Sequence, residues 1–350
     1  MAVRKTSRRK QSGPTIADVA KLASVSPMTV SRVINDEDNV RKATREVVNK
    51  AIDELGYTPN QAARSLAGAD QIRIGMFYDD ARTSYVSTLL VGGLQQASKR
   101  NVQLSIARGA TFEEGEEAIR RLASGGIDGI VLPPPLSDSA RALKLLARQD
   151  MPAVIIASVD PLTPFSAVGI DDFEAARAMT DHIIGLGHTR IGFIAGAARQ
   201  LASRQRFAGY KEALKNAGIA FDETLIAEGE FTYKSGLGAA RKLLSLDPQP
   251  TAIFASNDEM AAATIAIAHR RNIDVPNDIT VCGFDDAPLA ITIWPELTTV
   301  RQPIEEMCRT AVDQLVDEIR ARRAGKEPVR EHITLDFKIV HRNSDAPPRK

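Results

Sequence analysis

Apolar positions recur along this chain in two rhythms, and the change of rhythm divides it. Between Thr15 and Leu55 they fall three and four residues apart: Ile16, Val19, Ala20 and Leu22–Ala23, then Val30, Val33 and Ile34, then Val47, Val48, Ala51, Ile52 and Leu55. That spacing predicts three short helices, each burying one face. Thr15 is placed to cap the first, with Asp18 at its positive end, and the helix should stop near Ser24. Ser26 caps the second, and Pro27 suits its first position, where a missing N–H costs nothing. This helix should end near Asn35. The third runs from about Thr44 to Leu55 and stops at Gly56. Two short helices joined by so tight a turn make a helix-turn-helix, whose second helix enters the DNA major groove.

From Ile72 the rhythm changes to short apolar runs alternating with longer amphipathic stretches. Strands are expected at Ile72–Tyr78, Val102–Ala107, Ile127–Leu132 and Ala153–Ile156, and again at Arg190–Ala195, Ala252–Ala255 and Ile279–Phe284. Helices fall between them, among them Leu89–Lys99, Arg204–Ala217 and Met260–Arg270. This alternation predicts two parallel sheets covered on both faces, forming two similar subdomains with a cleft between them. Open α/β sheets bind ligands beyond the carboxyl ends of their strands. The residues expected there are Asp79-Asp80, Ser158, Ala197–Arg204, Asn257-Asp258 and Asp285-Asp286. Carboxylates, amides and an arginine suit a polyhydroxylated ligand, and Phe231 or Trp294 could stack on an apolar sugar face.

Charge sharpens the picture at the N-terminus. Residues 1–70 carry 12 Lys/Arg against 8 Asp/Glu, whereas the remainder carries 33 against 36. Five basic residues lie within the first ten positions, an arm suited to a polyanion. The outward residues of the second helix are Met28, Thr29, Ser31, Arg32 and Asn35, and Arg32 can bridge guanine O6 and N7. After Gly56, Asn60 can cap a helix of two turns that is too short to persist alone. Leu66 within it is either a minor-groove wedge or a buried linker leucine.

The segments 15–23 (Thr-Ile-Ala-Asp-Val-Ala-Lys-Leu-Ala), 25–35 (Val-Ser-Pro-Met-Thr-Val-Ser-Arg-Val-Ile-Asn) and 56–66 (Gly-Tyr-Thr-Pro-Asn-Gln-Ala-Ala-Arg-Ser-Leu) closely resemble the lactose/galactose repressor family. The likeness continues through Val-Gly-Ile-Asp-Asp (168–172), Arg-Phe-Ala-Gly-Tyr (206–210), Ser-Asn-Asp-Glu-Met-Ala (256–261) and Cys-Gly-Phe-Asp-Asp (282–286), covering about residues 15–341. One departure is Ser24, where the family usually has glycine in the turn. The resemblance implies an all-α helix-turn-helix headpiece plus an α/β core of two parallel-sheet subdomains, of the type I periplasmic-binding-protein kind. It implies base reading by Pro27, Met28 and Arg32, and phosphate contacts from Thr15, Ser26, Thr29, Ser31, Asn35, Thr44 and Asn60. Ala63 and Leu66 would meet DNA from the hinge helix. Effector contacts would come from Arg206, Asn257 and Asp285, with Phe231 on the ligand and Asp80 and Tyr85 supplied by the loop after the first strand; Ser158 and Trp294 join them on the strand-end and stacking arguments above. Ala157 falls where the lactose repressor has an aspartate, which argues against a lactose-like ligand.

The expected organisation is a basic arm (1–14), the headpiece (15–58), a hinge helix and linker (59–70), the core (71–341) and a polar tail (342–350). Within the core, residues 71–168 and 299–328 would form one subdomain, and 169–298 and 329–341 the other, with His332–Val340 as its closing strand. The resemblance implies a homodimer on a palindromic double-stranded operator, acting as a repressor of carbohydrate catabolism. Its effector would be a mono- or disaccharide, with a purine or phosphorylated metabolite as the alternative. No catalytic constellation, cofactor loop or metal-ligand spacing is expected, since Gly-x-Gly-x-x-Gly, Gly-x-Ser-x-Gly and His-x-x-x-His patterns are missing. No apolar run has the ~20 residues a membrane helix needs, and the two cysteines, with no signal-peptide pattern, suit the cytoplasm.

Overall fold

The computed structural model describes residues 14–34, 40–57, 71–78, 83–109, 112–157 and 163–349. They fall into two compact units that divide after Gln71.

The first unit is helical: α1 (Ile16–Leu22), α2 (Pro27–Ile34) and α3 (Lys42–Leu55). Thr15 and Asp18 form a reciprocal capping box, with the Thr15 amide donating to Asp18 Oδ2 at 2.8 Å. Ser24 stands in the turn with φ +52°, the left-handed conformation that a glycine would adopt without steric cost. Gly56 ends α3 at φ +58°. Val19, Ala20, Val30, Val33, Val48 and Ala51 close a small core. Leu22 and Val47, expected inside, are exposed, because three short helices enclose only the central line of each apolar face.

The second unit holds two six-stranded sheets. Its strands are β1 (Arg73–Tyr78), β2 (Gln103–Arg108), β3 (Gly129–Leu132), β4 (Ala153–Ile156), β5 (Ser166–Gly169), β6 (Ile191–Ala195), β7 (Ile226–Glu228), β8 (Ala252–Ala255), β9 (Thr280–Asp285), β10 (Thr298–Arg301), β11 (His332–Thr334) and β12 (Lys338–Val340). The first sheet runs β11-β5-β4-β3-β1-β2 and the second β12-β10-β9-β8-β6-β7. Every ladder is parallel except β10 with β12. Between the strands lie α4 (Ser84–Lys99), α5 (Phe112–Ser124), α6 (Ala140–Arg148), α7 (Asp172–Gly185), α8 (Leu201–Asn216), α9 (Tyr233–Leu243), α10 (Asp258–Arg270) and α11 (Ile304–Arg323). Strands β3, β4, β8 and β9 are buried throughout, as parallel strands sandwiched by helices must be. Helices α7 and α8 meet so closely that a Cβ on Gly209 would stand 2.2 Å from the Phe173 carbonyl oxygen.

The chain passes between the sheets three times: after β5, between β10 and α11, and between β11 and β12. Helix α11 does return to the first sheet, where Leu315 and Ile319 cover Gly129. Two boundaries expected from the sequence are corrected. Strand β10 belongs to the second sheet, so that subdomain extends through Arg301. The stretch His332–Val340 is two strands, not one: His332–Thr334 pairs with β5 in the first sheet and Lys338–Val340 with β10 in the second. Ile333, Leu335, Phe337 and Ile339 all turn inward, so the alternation runs unbroken through the crossing. Period-two patterning reports the pleat and says nothing of which sheet a strand joins. The expected tail is also part of the fold. Ser344 is fully buried, donates to the Val281 carbonyl at 2.6 Å and accepts from the Thr298 amide at 2.8 Å.

Candidate DNA interface and ligand cleft

The exposed face of α2 is set by its buried one. Val30 and Val33 hold the helix to the headpiece core, which turns Pro27, Met28 and Arg32 outward and leaves Thr29 and Ser31 half-buried. Met28 is 64% exposed. An apolar thioether kept in water by its helix suits a thymine methyl, and the neighbouring guanidinium suits a guanine edge. Ser26 caps α2 by accepting from the Thr29 amide at 3.1 Å, and its hydroxyl lies 2.9 Å from the Thr29 hydroxyl. Thr15 is exposed and Thr44 is half-buried on α3. Of the remaining expected DNA contacts, Asn35, Asn60, Ala63 and Leu66 lie outside the described residues.

In the core, four of the expected effector residues converge where strands of the second sheet end. Arg206, on α8, is 4% exposed. Its Nε donates to Asp172 Oδ1 at 2.7 Å and its Nη1 donates to the Ser256 carbonyl at 2.6 Å. The same Nη1 lies 3.8 Å from Asp285 Oδ1. The guanidinium carbon sits 3.6 Å from the centre of the Phe284 ring and 5.8 Å from that of Phe231. Asn257 caps α10 by accepting from the Met260 amide at 3.0 Å, while its Nδ2 donates to the Phe231 carbonyl at 3.0 Å. Gln302 donates to Asp285 Oδ1 at 2.6 Å. Tyr85, on α4 of the first sheet's lobe, lies close enough to feel the charges of Asp285, Arg206 and Asp172. Its hydroxyl is buried and has no hydrogen-bond partner among the described residues.

Burial governs the electrostatics. It pushes the Asp285 carboxyl up to about 7, against the opposing pull of Arg206 and Gln302. Asp172 and Asp258 are raised for the same reason, and so is the Tyr85 hydroxyl. Positive φ recurs here as well: Ala157 and Asp286 directly follow strands, Asp285 ends one, and Phe231 precedes Thr232, the cap of α9. Gly196, after β6, is open enough that the Phe231 ring lies against it, where a Cβ would come within 2.0 Å of the ring. The two lobes also touch directly. The Ser84 amide donates to Glu259 Oε1 at 3.3 Å, and the Leu201 amide to Asp138 Oδ1 at 3.2 Å.

Trp294 stands apart from this group. It is 75% exposed between the turn at Pro288–Ile291 and β10, and no ring contact or hydrogen bond joins it to Arg206, Phe231 or Asp285 among the described residues. Asp80 and Ser158 lie outside the described residues. Asp172 and Gln302 were not anticipated as partners of the cluster. Asp172 was legible as one of two adjacent acids opening a helix: Asp171 takes the capping role, accepting from the Glu174 amide at 2.9 Å, which leaves the second for another task. Gln302 gave no signal, because its role depends on the parallel pairing of β10 with β9.

A family model described as bacterial regulatory proteins, lacI family, matches residues 15–60, and one for a periplasmic binding protein-like domain matches residues 180–344. The chain is 37% identical over 345 residues to the HTH-type transcriptional regulator CelR of Thermobifida fusca, covering 95% of this chain and 98% of that protein. It is 35% identical over 337 residues to DegA of Bacillus subtilis, with the same two coverages. Among solved structures, a complex of CelR with cellobiose superposes with a TM-score of 0.71 at 34% identity, covering 95% of this chain and 99% of that one. The lac repressor dimer bound to operator and the anti-inducer ONPF does so with 0.77 at 27% identity, covering 96% and 100%. The helix-turn-helix, the two-sheet core and these likenesses make this chain a member of the LacI family, a DNA-binding transcriptional regulator and not an enzyme.

Proposed function

We propose that this regulator is a dimeric repressor of carbohydrate-catabolism genes, working in the cytoplasm on a palindromic operator under the control of a small polyhydroxylated ligand held between the two sheets. The observation that carries the ligand reading is the Tyr85 hydroxyl, buried without a partner beside Arg206 and Asp285. A buried unpaired hydroxyl costs about 1–3 kcal/mol, and a sugar hydroxyl would supply the missing hydrogen bond. Arg206 and the Asn257 amide offer donors, Asp285 accepts, and Phe231 offers a ring face. CelR with cellobiose, and a LacI-family regulator with ribose, are precedents of similar fold.

Ligand between the lobes would favour one relative orientation of the sheets and so bias whether the hinge, residues 59–70, folds into the minor groove around Leu66. A coupling of roughly 1–3 kcal/mol would change operator affinity by about 5–150-fold. The test is a panel of mono- and disaccharides, purines and phosphorylated metabolites, followed by thermal midpoint and then by operator binding at fixed salt. A sugar that raises the midpoint and changes operator affinity supports the reading. A stabilising sugar that leaves operator affinity untouched ends it.

A further inference from the structure

Far from the cleft, the second lobe brings together three side chains that sequence spacing keeps apart. His182 lies in the last turn of α7, and His341 and Asp345 follow β12. Ten residues of helix separate His182 from Asp172 beside Arg206, a distance of about 15 Å along the axis. His182 Nε2 and Asp345 Oδ2 are 2.6 Å apart, and the two imidazole rings meet edge-on with centroids 4.5 Å apart. One donor atom from each of the three residues lies within 4.8 Å of the others. We propose that His182, His341 and Asp345 form a binding site for a divalent d-block cation of the zinc type, which clips the C-terminal segment to α7.

The donor set selects the class. Two imidazole nitrogens and one carboxylate oxygen suit zinc and its neighbours, whereas calcium and magnesium require oxygen ligands throughout. Metal–ligand bonds of about 2.0–2.2 Å place tetrahedral donors roughly 3.3–3.5 Å apart, so the His182–Asp345 pair must open slightly and His341 must swing inward. His341 is exposed and can make that move, with water completing the fourth position.

The carboxylate is already held for the purpose. Thr298 donates its hydroxyl to the other Asp345 oxygen. Ser344, before it, is anchored to Val281 and Thr298, and the Ala346 amide, after it, donates to Thr280 Oγ1 at 2.9 Å. Such outer partners fix ligand orientation. His188 is not a fourth ligand, since its Nδ1 faces the Thr251 hydroxyl at 2.9 Å and its Nε2 the Ala346 carbonyl at 2.8 Å.

The test uses tag-free, chelator-treated full-length protein titrated with zinc by calorimetry and with cobalt by visible absorption. One equivalent should bind and give the intense bands of tetrahedral cobalt. His341→Ala, at an exposed position, should weaken binding at least 100-fold, and Thr298→Val about 10–100-fold, the usual cost of losing an outer hydrogen bond. The proposal is overturned if His341→Ala binds zinc as tightly as the parent. It is equally overturned if the parent binds none at millimolar zinc, which would leave a hydrogen-bonded His–Asp pair only.

Discussion

The two sheets of the core share one strand order and nearly one ladder, yet they hold buried charge in different ways. In the first lobe the buried acids lie apart from one another: Glu116 lies 2.7 Å from Arg141 and 3.4 Å from Arg120, and Glu318 takes the Ser166 hydroxyl. In the second, Asp172, Arg206 and Asp285 share one buried site, next to Asn257 and Asp258. Among the described residues, the first lobe brings the unpartnered hydroxyl of Tyr85 to that site. Equal topology therefore does not distribute function equally. One lobe carries the buried charge cluster, and the other sets Tyr85 beside it. Positive backbone φ is not confined to one side: Asn101, Asp150 and Ala157 show it in the first lobe, and Phe231, Asn272, Asp285 and Asp286 in the second.

The largest effect should come from taking the shared cation away. Arg206→Ala leaves Asp172 and Asp285 buried without a counterion, which should destabilise the core by about 3–5 kcal/mol. Denaturant unfolding measures this. Glu116→Gln, in the first lobe, should cost much less because its partner Arg141 is 72% exposed. Equal losses from the two variants would erase the asymmetry between the lobes. Next comes Gly196→Ala, whose Cβ would press on the Phe231 ring and cost roughly 1–3 kcal/mol through overpacking. Gly238→Ala, with nothing within 4 Å of the new methyl, is its control and should be neutral or stabilising. A Gly196→Ala protein as stable as that control would mean the ring is not held there.

Most of this was legible in the sequence, and the failures have definite causes. The change from helical to strand rhythm located both units, and Thr15, Ser26 and Gly56 set helix ends correctly because capping is local chemistry. Ser24 was legible as a left-handed residue only through the family resemblance, since a lone serine announces no conformation. Arg206, Asn257, Asp285 and Phe231 do meet, as groups that end or follow the parallel strands of one sheet should. Trp294 does not: it is exposed, and no contact joins it to the others among the described residues. The crossing at Leu335–Phe337 and the buried Ser344 were illegible for one reason. Both depend on what the segment pairs with, and a polar, alternating pattern fits an edge, a crossing or a tail equally well.

A third expectation concerns pH. The folded-state value of Asp285 is raised to about 7, above the roughly 3.9 of an unfolded chain. The native protein thus holds a proton that the unfolded chain gives up, so this stability is present at low pH and is lost as pH rises through about 7. Calorimetry of the ligand-free protein between about pH 5.5 and pH 8 should show a midpoint that falls up to about pH 7 and levels off above it, with a slope near 1.4 kcal/mol per unit between the unfolded and the folded value. Asp285→Asn should flatten that slope. A slope unchanged in the variant would assign it to Asp172 or Asp258 instead and would remove Asp285 from the titrating role.

The smallest effect is the most discriminating, because its two readouts should move in opposite directions. Tyr85→Phe deletes a hydroxyl that has no partner and leaves the ring that packs beside it. Burying that hydroxyl unpaired costs the ligand-free protein free energy, so its removal should stabilise the core by up to about 1 kcal/mol. If the hydroxyl is held for a ligand, the same change should weaken ligand binding by roughly tenfold, the equivalent of one hydrogen bond of about 1.4 kcal/mol. A merely structural tyrosine would predict a loss of stability with no change in affinity. Stabilisation together with weaker binding would place the recognising group of the first lobe at Tyr85, and would mean that this lobe does more than close over the charges of the second.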